Sequence, residues 1–160
     1  MIICFPHPPG AGGPGSFQIR FEKALRANGW EVVYADTTQI PDVIMVVGGT
    51  RKLYWLWKMK QKGVPIMFRL DGINWLHRKQ KTSLKRFVMG ESRNFNNKFI
   101  HAFLADTIVY QSRFVEDWWG EKGWKKRKGA AIIHNGVKLS DFSESKKKQP
   151  DGQQRLVVLE

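Results

Sequence analysis

Gly10-Ala11-Gly12-Gly13-Pro14-Gly15 spells G-x-G-x-x-G, and Asp36 stands 21 residues after Gly15. In a dinucleotide-binding turn such glycines let the backbone approach a pyrophosphate, and the later acidic residue takes a ribose hydroxyl. The spacing argues against that chemistry here. Nicotinamide-binding glycines follow their strand directly, whereas Pro6-His7-Pro8-Pro9 intervenes after the apolar run Ile2 to Phe5. A P-loop needs Lys-Ser or Lys-Thr after its last glycine, and Ser16-Phe17 stands there. What survives is a glycine loop exposing N–H groups at a helix N-terminus, a cradle for phosphate or sugar hydroxyls. The plain alternative is a loop that is glycine-rich only for steric reasons.

Two further patterns accompany it. Ile132-Ile133-His134-Asn135-Gly136-Val137, with Asp141-Phe142 after it, reads as a strand ending in an Asn-Gly turn before a hydrophobic pair re-enters the core. Val109-Tyr110-Gln111-Ser112 reads as a strand meeting a capped helix. Asp71, in Arg69-Leu70-Asp71-Gly72, stands at a strand end, where Asp-Gly also makes an ordinary turn or cap. Asp71, Glu91, Asp106 and Glu116 have no spacing that pairs them for hydrolysis, and Ser112 lacks a Gly-x-Ser-x-Gly setting. There is no Asp-x-Asp, and His7, His77, His101 and His134 are too scattered for a metal motif, so neither a metal nor a cofactor is expected. One cysteine, Cys4, allows no internal disulfide.

A third pattern is basic and aromatic. Arg51 to Lys62 (RKLYWLWKMKQK) puts Leu53, Leu56, Trp57 and Lys60 on one side of a helix, and Lys125-Lys126-Arg127-Lys128 adds a compact cluster. The net charge is +13, and 51–128 carries all of it, with 19 basic and 6 acidic residues, while the other 82 residues hold 8 of each sign. Such a field attracts phosphate, an anionic bilayer or nucleic acid. The plain reading is a core-facing stripe with a solvated basic face. Nucleic acid is the weakest partner, since no RNA or DNA module is present.

These residues need elements to hold them. At 160 residues, with 42% apolar and 12% aromatic content, the chain has the size and material of one cored domain. The opening residues lack a basic leader, and no run approaches the roughly 18 apolar residues of a spanning helix. The expectation is a cytoplasmic protein, with peripheral attachment to the inner face of a membrane if the basic patch binds lipid. Apolar strands are predicted at 2–5, 31–36, 43–47, 65–70, 107–110 and 130–133. Helices are predicted from a Ser16 cap to Gly29, from Gly48-Gly49-Thr50 to Gly63, around Phe95, Phe99, Ala102 and Phe103, and from a Ser112 cap to Gly120. This alternation implies an α/β, doubly wound parallel sheet of Rossmann-like type, with 2–5 central and Gly10 to Ser16 at the carboxyl edge. Polar 143–154 (SESKKKQPDGQQ) reads as a linker, and 155–160 (RLVVLE) as the first strand of a further domain.

A glycine loop after the first strand, then strand-Ser-helix, then strand-Asn-Gly-Val with a later Phe, all within about 2–142, resembles the N-terminal half of a family 4 glycosyltransferase of GT-B architecture. The resemblance implies an acceptor-binding domain at 1–142, one half of the GT-B pair. It also implies a donor domain beginning at 155–160, and no turnover by the first domain alone. It implies a nucleotide-diphosphate sugar donor, a glycan or lipid-linked acceptor and a metal-independent mechanism. By the same resemblance Asp71 is the catalytic candidate facing the acceptor, and Gly12 and Gly13 lie near the donor diphosphate and acceptor. Asn135 and Gly136 lie near the crossover, and Ser16, Ser112 and Arg113 complete the substrate-binding set. A basic Rossmann-like module for a membrane or nucleic acid, and half of a nicotinamide oxidoreductase, are the competing expectations.

Overall fold

The computed structural model describes residues 1–72, 76–124 and 129–136. Six strands form one sheet: β1 (Ile2–Phe5), β2 (Glu31–Tyr34), β3 (Val43–Val47), β4 (Ile66–Leu70), β5 (Thr107–Tyr110) and β6 (Ala131–Ile132). Five helices connect them: α1 (Gly12–Ala27), α2 (Leu53–Gln61), the short α3 (Leu76–Lys79), α4 (Leu84–Phe99) and α5 (Arg113–Glu121). α4 runs on into one wide π turn, Ile100–Leu104. The sheet order is β2-β1-β3-β4-β5-β6 and every pairing is parallel. The fold is the expected Rossmann-like, doubly wound α/β arrangement.

Central strands covered on both faces cannot alternate apolar with polar, which is why VIMVV and IMFRL read as nearly unbroken apolar runs. One face packs under α1, where Phe17, Phe21 and Leu25 meet Ile3, Phe5, Val32 and Met45. The other carries the larger core: Cys4, Ile44, Val46, Ile66, Phe68 and Ile108 lie beneath Leu56, Ile100, Leu104, Val115 and Trp119. On β4 this alternation sends Phe68 and Leu70 to the larger core and Arg69 to the α1 face.

Several local expectations are corrected. The first strand is second from an edge rather than central, because β3 returns to its far side. That reversal makes β1 and β3 the switch point, where the loops leaving their carboxyl ends part and open a crevice. Ser16 does not cap α1. The helix begins at Gly12 behind Ala11, Pro14 is tolerated in its first turn, and Ser16 is an exposed residue of the next. Gly15 permits this early start, because a Cβ there would lie 1.6 Å from the Gly10 carbonyl oxygen. α5 passes through Gly120 and closes at Gly123, where the Gly123 and Trp124 N–H groups donate back to the Gly120 and Trp119 carbonyls. Gly29 and Gly63 end α1 and α2 with the same two bonds and, like Gly123, a positive φ that a side chain would strain. On α2, Leu56 is buried as expected, but Trp57 is exposed, stacked on Tyr54, while Trp55 and Met59 pack on the core.

Lys60 reaches across to Asp106 at 2.5 Å and donates to the Leu104 carbonyl, while Asp106 also accepts the Ile66 N–H. This ties α2 to the amino ends of β4 and β5, opposite the edge where ligands bind in such sheets.

Candidate functional site

A buried charge in β4 organises the carboxyl edge of the sheet. The Arg69 side chain is 2% exposed, and a guanidinium that deep must be paired. It donates to Asp71 from one terminal nitrogen, and from the other to Gln111 Oε1 at 3.1 Å and Asn135 Oδ1 at 2.8 Å. Phe17 of α1 covers it, with the guanidinium carbon 3.9 Å from the ring centroid. One buried residue thus gathers the ends of β4, β5 and β6 under the first helix.

Asp71 is held further. Its backbone carbonyl accepts the Trp119 indole N–H at 2.9 Å, which fixes the turn. A Cβ on Gly48 would lie 2.9 Å from Asp71 Oδ2 and 3.3 Å from Pro14, so the end of β3, the glycine loop and Asp71 meet where only hydrogen fits. Asp71 Oδ2 is buried with no hydrogen-bond donor among the described residues. Burial raises the Asp71 carboxyl above its ordinary value, and Arg69 pulls it only part of the way back.

Beside this cluster, at the β1–β3 switch, lies a cavity of about 430 Å³. His7 follows β1, Gly48 to Lys52 follow β3, and Arg93, Asn96 and Asn97 come from α4. Gly48 and Gly49 have φ of 66° and 106°, and a Cβ on Gly49 would strike Asn97 Oδ1 at 2.0 Å. The second loop is therefore shaped by glycine as much as the first. The Thr50 hydroxyl accepts the Lys52 N–H at 3.1 Å and turns the chain into α2. Burial, assisted by Lys52, lowers the pKa of His7 against a hydrogen bond with the Gly49 backbone.

The structure brings together part of the expected set. Asp71 and Asn135 share Arg69, and Pro14 brings the glycine loop against them. Gly12 and Gly13 occupy the first turn of α1, exposed and with open space around their Cβ positions. Gly136 is exposed after β6, and Ser16 points from α1 into solvent. Ser112 caps α5 as expected, accepting the Val115 N–H at 3.2 Å, which makes its hydroxyl a structural acceptor. Arg113 lines a separate cavity over α5, with Glu116 and Glu121. Lys125, Lys126, Arg127 and Lys128 lie outside the described residues, as do 137–160 with the expected linker and following strand. Asp36 is exposed in the turn after β2.

Sequence reasoning missed Arg69, Gln111 and the Gly48-Gly49 loop. The signal for Arg69 was a single cation in the apolar run PIMFRL, two residues before an aspartate. Cys4 takes no part: it is buried, and burial pushes its thiol up to about 11.

Fold and site together define a doubly wound, Rossmann-like α/β domain whose polar cluster and basic cavity lie beyond the carboxyl ends of its strands. The chain matches no protein-family model, no curated protein and no solved structure.

Proposed function

We propose that this domain is the acceptor-binding half of a GT-B glycosyltransferase of the family 4 type, acting with a C-terminal donor domain on a nucleotide-diphosphate sugar and a glycan or lipid-linked acceptor. The observation that carries the reading is the cluster at the strand ends: Asp71, held by Arg69 against the first glycine loop, with Asn135 from the segment after β6 on the same guanidinium. The Asp71 side chain keeps 19% of its surface exposed at the strand ends, and an acceptor hydroxyl would meet the carboxylate on that open side. Its raised pKa suits a general base, because proton transfer is most effective when the base titrates closer to the working pH. Arg69 is a positioning residue, enclosed and facing Asp71 rather than solvent. The donor half would contribute stabilisation of the leaving diphosphate, and positioning and electrostatics each supply several kcal/mol in such reactions.

The test joins residues 1–154 to a family 4 donor domain and assays sugar transfer. Transfer should require the fusion, and Asp71→Asn should lower kcat while the domain stays folded. Turnover by 1–160 alone, or an unchanged kcat in Asp71→Asn, would overturn the reading.

A second reading, peripheral contact with an anionic membrane, is favoured by α4. This 16-residue helix leaves Leu84, Val88 and Phe95 exposed by more than half, among Lys85, Arg86, Arg93 and Lys98. Among the described residues no helix is long and apolar enough to cross a membrane. Apolar side chains flanked by cations suit the surface of a bilayer. Flotation with anionic but not zwitterionic vesicles, weakened by salt, supports this contact, and equal binding to both removes it.

A further inference from the structure

Three cationic residues line the switch-point cavity. Arg51 and Lys52 come from the loop after β3 and Arg93 from α4, and the lining contains no carboxylate among the described residues. None of the three has an ion-pair partner among the described residues, whereas Arg69, Lys60 and Arg78 each have an aspartate or glutamate. Asp71, beyond Gly48, is engaged by Arg69. Cations lining one concavity without paired carboxylates present a positive field that an anion would neutralise. The volume, about 430 Å³, is in the range of small-ligand pockets and exceeds what a bare inorganic ion needs. The loop geometry is specific as well, since Gly49 lets Asn97 approach its backbone and so fixes α4, with Arg93 one turn earlier, against the loop.

We infer that this cavity is a phosphate-binding subsite, in which Arg51, Lys52 and Arg93 hold the phosphate group of an organic phosphomonoester whose remaining atoms fill the rest of the pocket. A phosphomonoester carries about −1.5 to −2 charge at pH 7 and three acceptor oxygens, so it can occupy all three cations at once. The inference rests on the cavity alone and holds whichever reaction the domain serves.

The experiment is calorimetric titration of the full 160-residue chain, at constant ionic strength, with inorganic phosphate, glucose 6-phosphate and monomeric dihexanoyl phosphatidate. The expected result is saturable one-to-one binding of at least one phosphomonoester, tighter than inorganic phosphate. Tighter binding of the sugar phosphate assigns a soluble ligand, and tighter binding of the phosphatidate a lipid headgroup. Lys52→Ala and Arg93→Ala should each weaken binding about tenfold, the loss of one charge-assisted contact. Arg93→Lys should recover part of it. Lys23→Ala, an exposed cation on α1, should bind as the parent does. No saturable binding by any of the three ligands would overturn the inference. Equal weakening in Lys23→Ala would do the same, because it would mean that net charge alone attracts the anion. Either result leaves the transferase reading standing, since that reading depends on Asp71 and Arg69.

Discussion

Replacing Arg69 by Met removes the guanidinium that joins three strands. Asp71 and Asn135 would lose the donor their oxygens share, and Gln111 Oε1 would keep only the long bond from the Asn135 amide at 3.4 Å. Breaking a buried pair by deleting one partner costs about 3–5 kcal/mol. The lower end applies here, because Asp71 keeps 19% side-chain exposure and can recover some hydration. A loss of about 3 kcal/mol corresponds to a fall in Tm of roughly 6–12 °C for a domain of this size. Asp71→Asn should behave differently. The amide still offers Arg69 an acceptor oxygen, and the raised pKa of Asp71 means that burial already disfavours its charge, so the cost should be about 1 kcal/mol or less. A carboxyl whose pKa rises on folding contributes stability at low pH. That contribution is lost as pH climbs from near its ordinary value of 3.8 through the raised folded value. Asp71→Asn should therefore remove one component of the pH dependence in that window. The assay is urea unfolding by tryptophan fluorescence at several pH values for both single variants and the double. The double should cost less than the sum of the singles, since they share one network. If Asp71→Asn costs as much as Arg69→Met, charge pairing rather than burial governs the cluster, and if the two costs add, the residues do not share one network; either result refutes the reasoning.

Other consequences are simpler to check. Gly13→Val should leave the thermal midpoint of the isolated chain unchanged, because its Cβ meets open space, whereas Gly15→Val should lower it sharply by driving a side chain into the Gly10 carbonyl. Ser112→Ala should cost about 1 kcal/mol in chemical denaturation, the usual value of a lost helix cap. Cys4 should resist thiol reagents at pH 8 until the chain unfolds. Its folded pKa, raised from 9.0 to about 11, contributes stability below pH 9 that is lost as pH rises toward 11. NAD and NADP should show no saturable micromolar binding by calorimetry.

Much of the framework was legible because it rests on local chemistry. Buried parallel strands must be unbroken apolar runs, and VIMVV and TIVY were found with their ends correct. Boundaries failed where tertiary contact overrode a local preference. Ser16 has the right chemistry for a cap, yet the fit of the Gly10 carbonyl on Gly15 starts α1 a turn earlier. Trp57 fits a helical stripe, but α2 turns Trp55 and Met59 inward instead. The candidate site was legible only as separate pieces. Asp71 and Asn135 stand 64 residues apart, and nothing local shows that one guanidinium joins them. Gly48-Gly49 looked only like a lead into a helix because the residue packed against it, Asn97 of α4, is 48 residues beyond Gly49.

The most direct test of the acceptor-binding reading is amide shift mapping by NMR on the isolated chain, titrated in parallel with neutral and phosphorylated glycosides and with NAD. The account predicts saturable shifts with a glycoside, concentrated at Pro14-flanking amides, Gly48, Asp71 and Asn135, and diminished in Asp71→Asn. Saturable NAD shifts along Gly10 to Gly15 and at Asp36, with no glycoside response at Asp71, would contradict it and make the domain a dinucleotide binder.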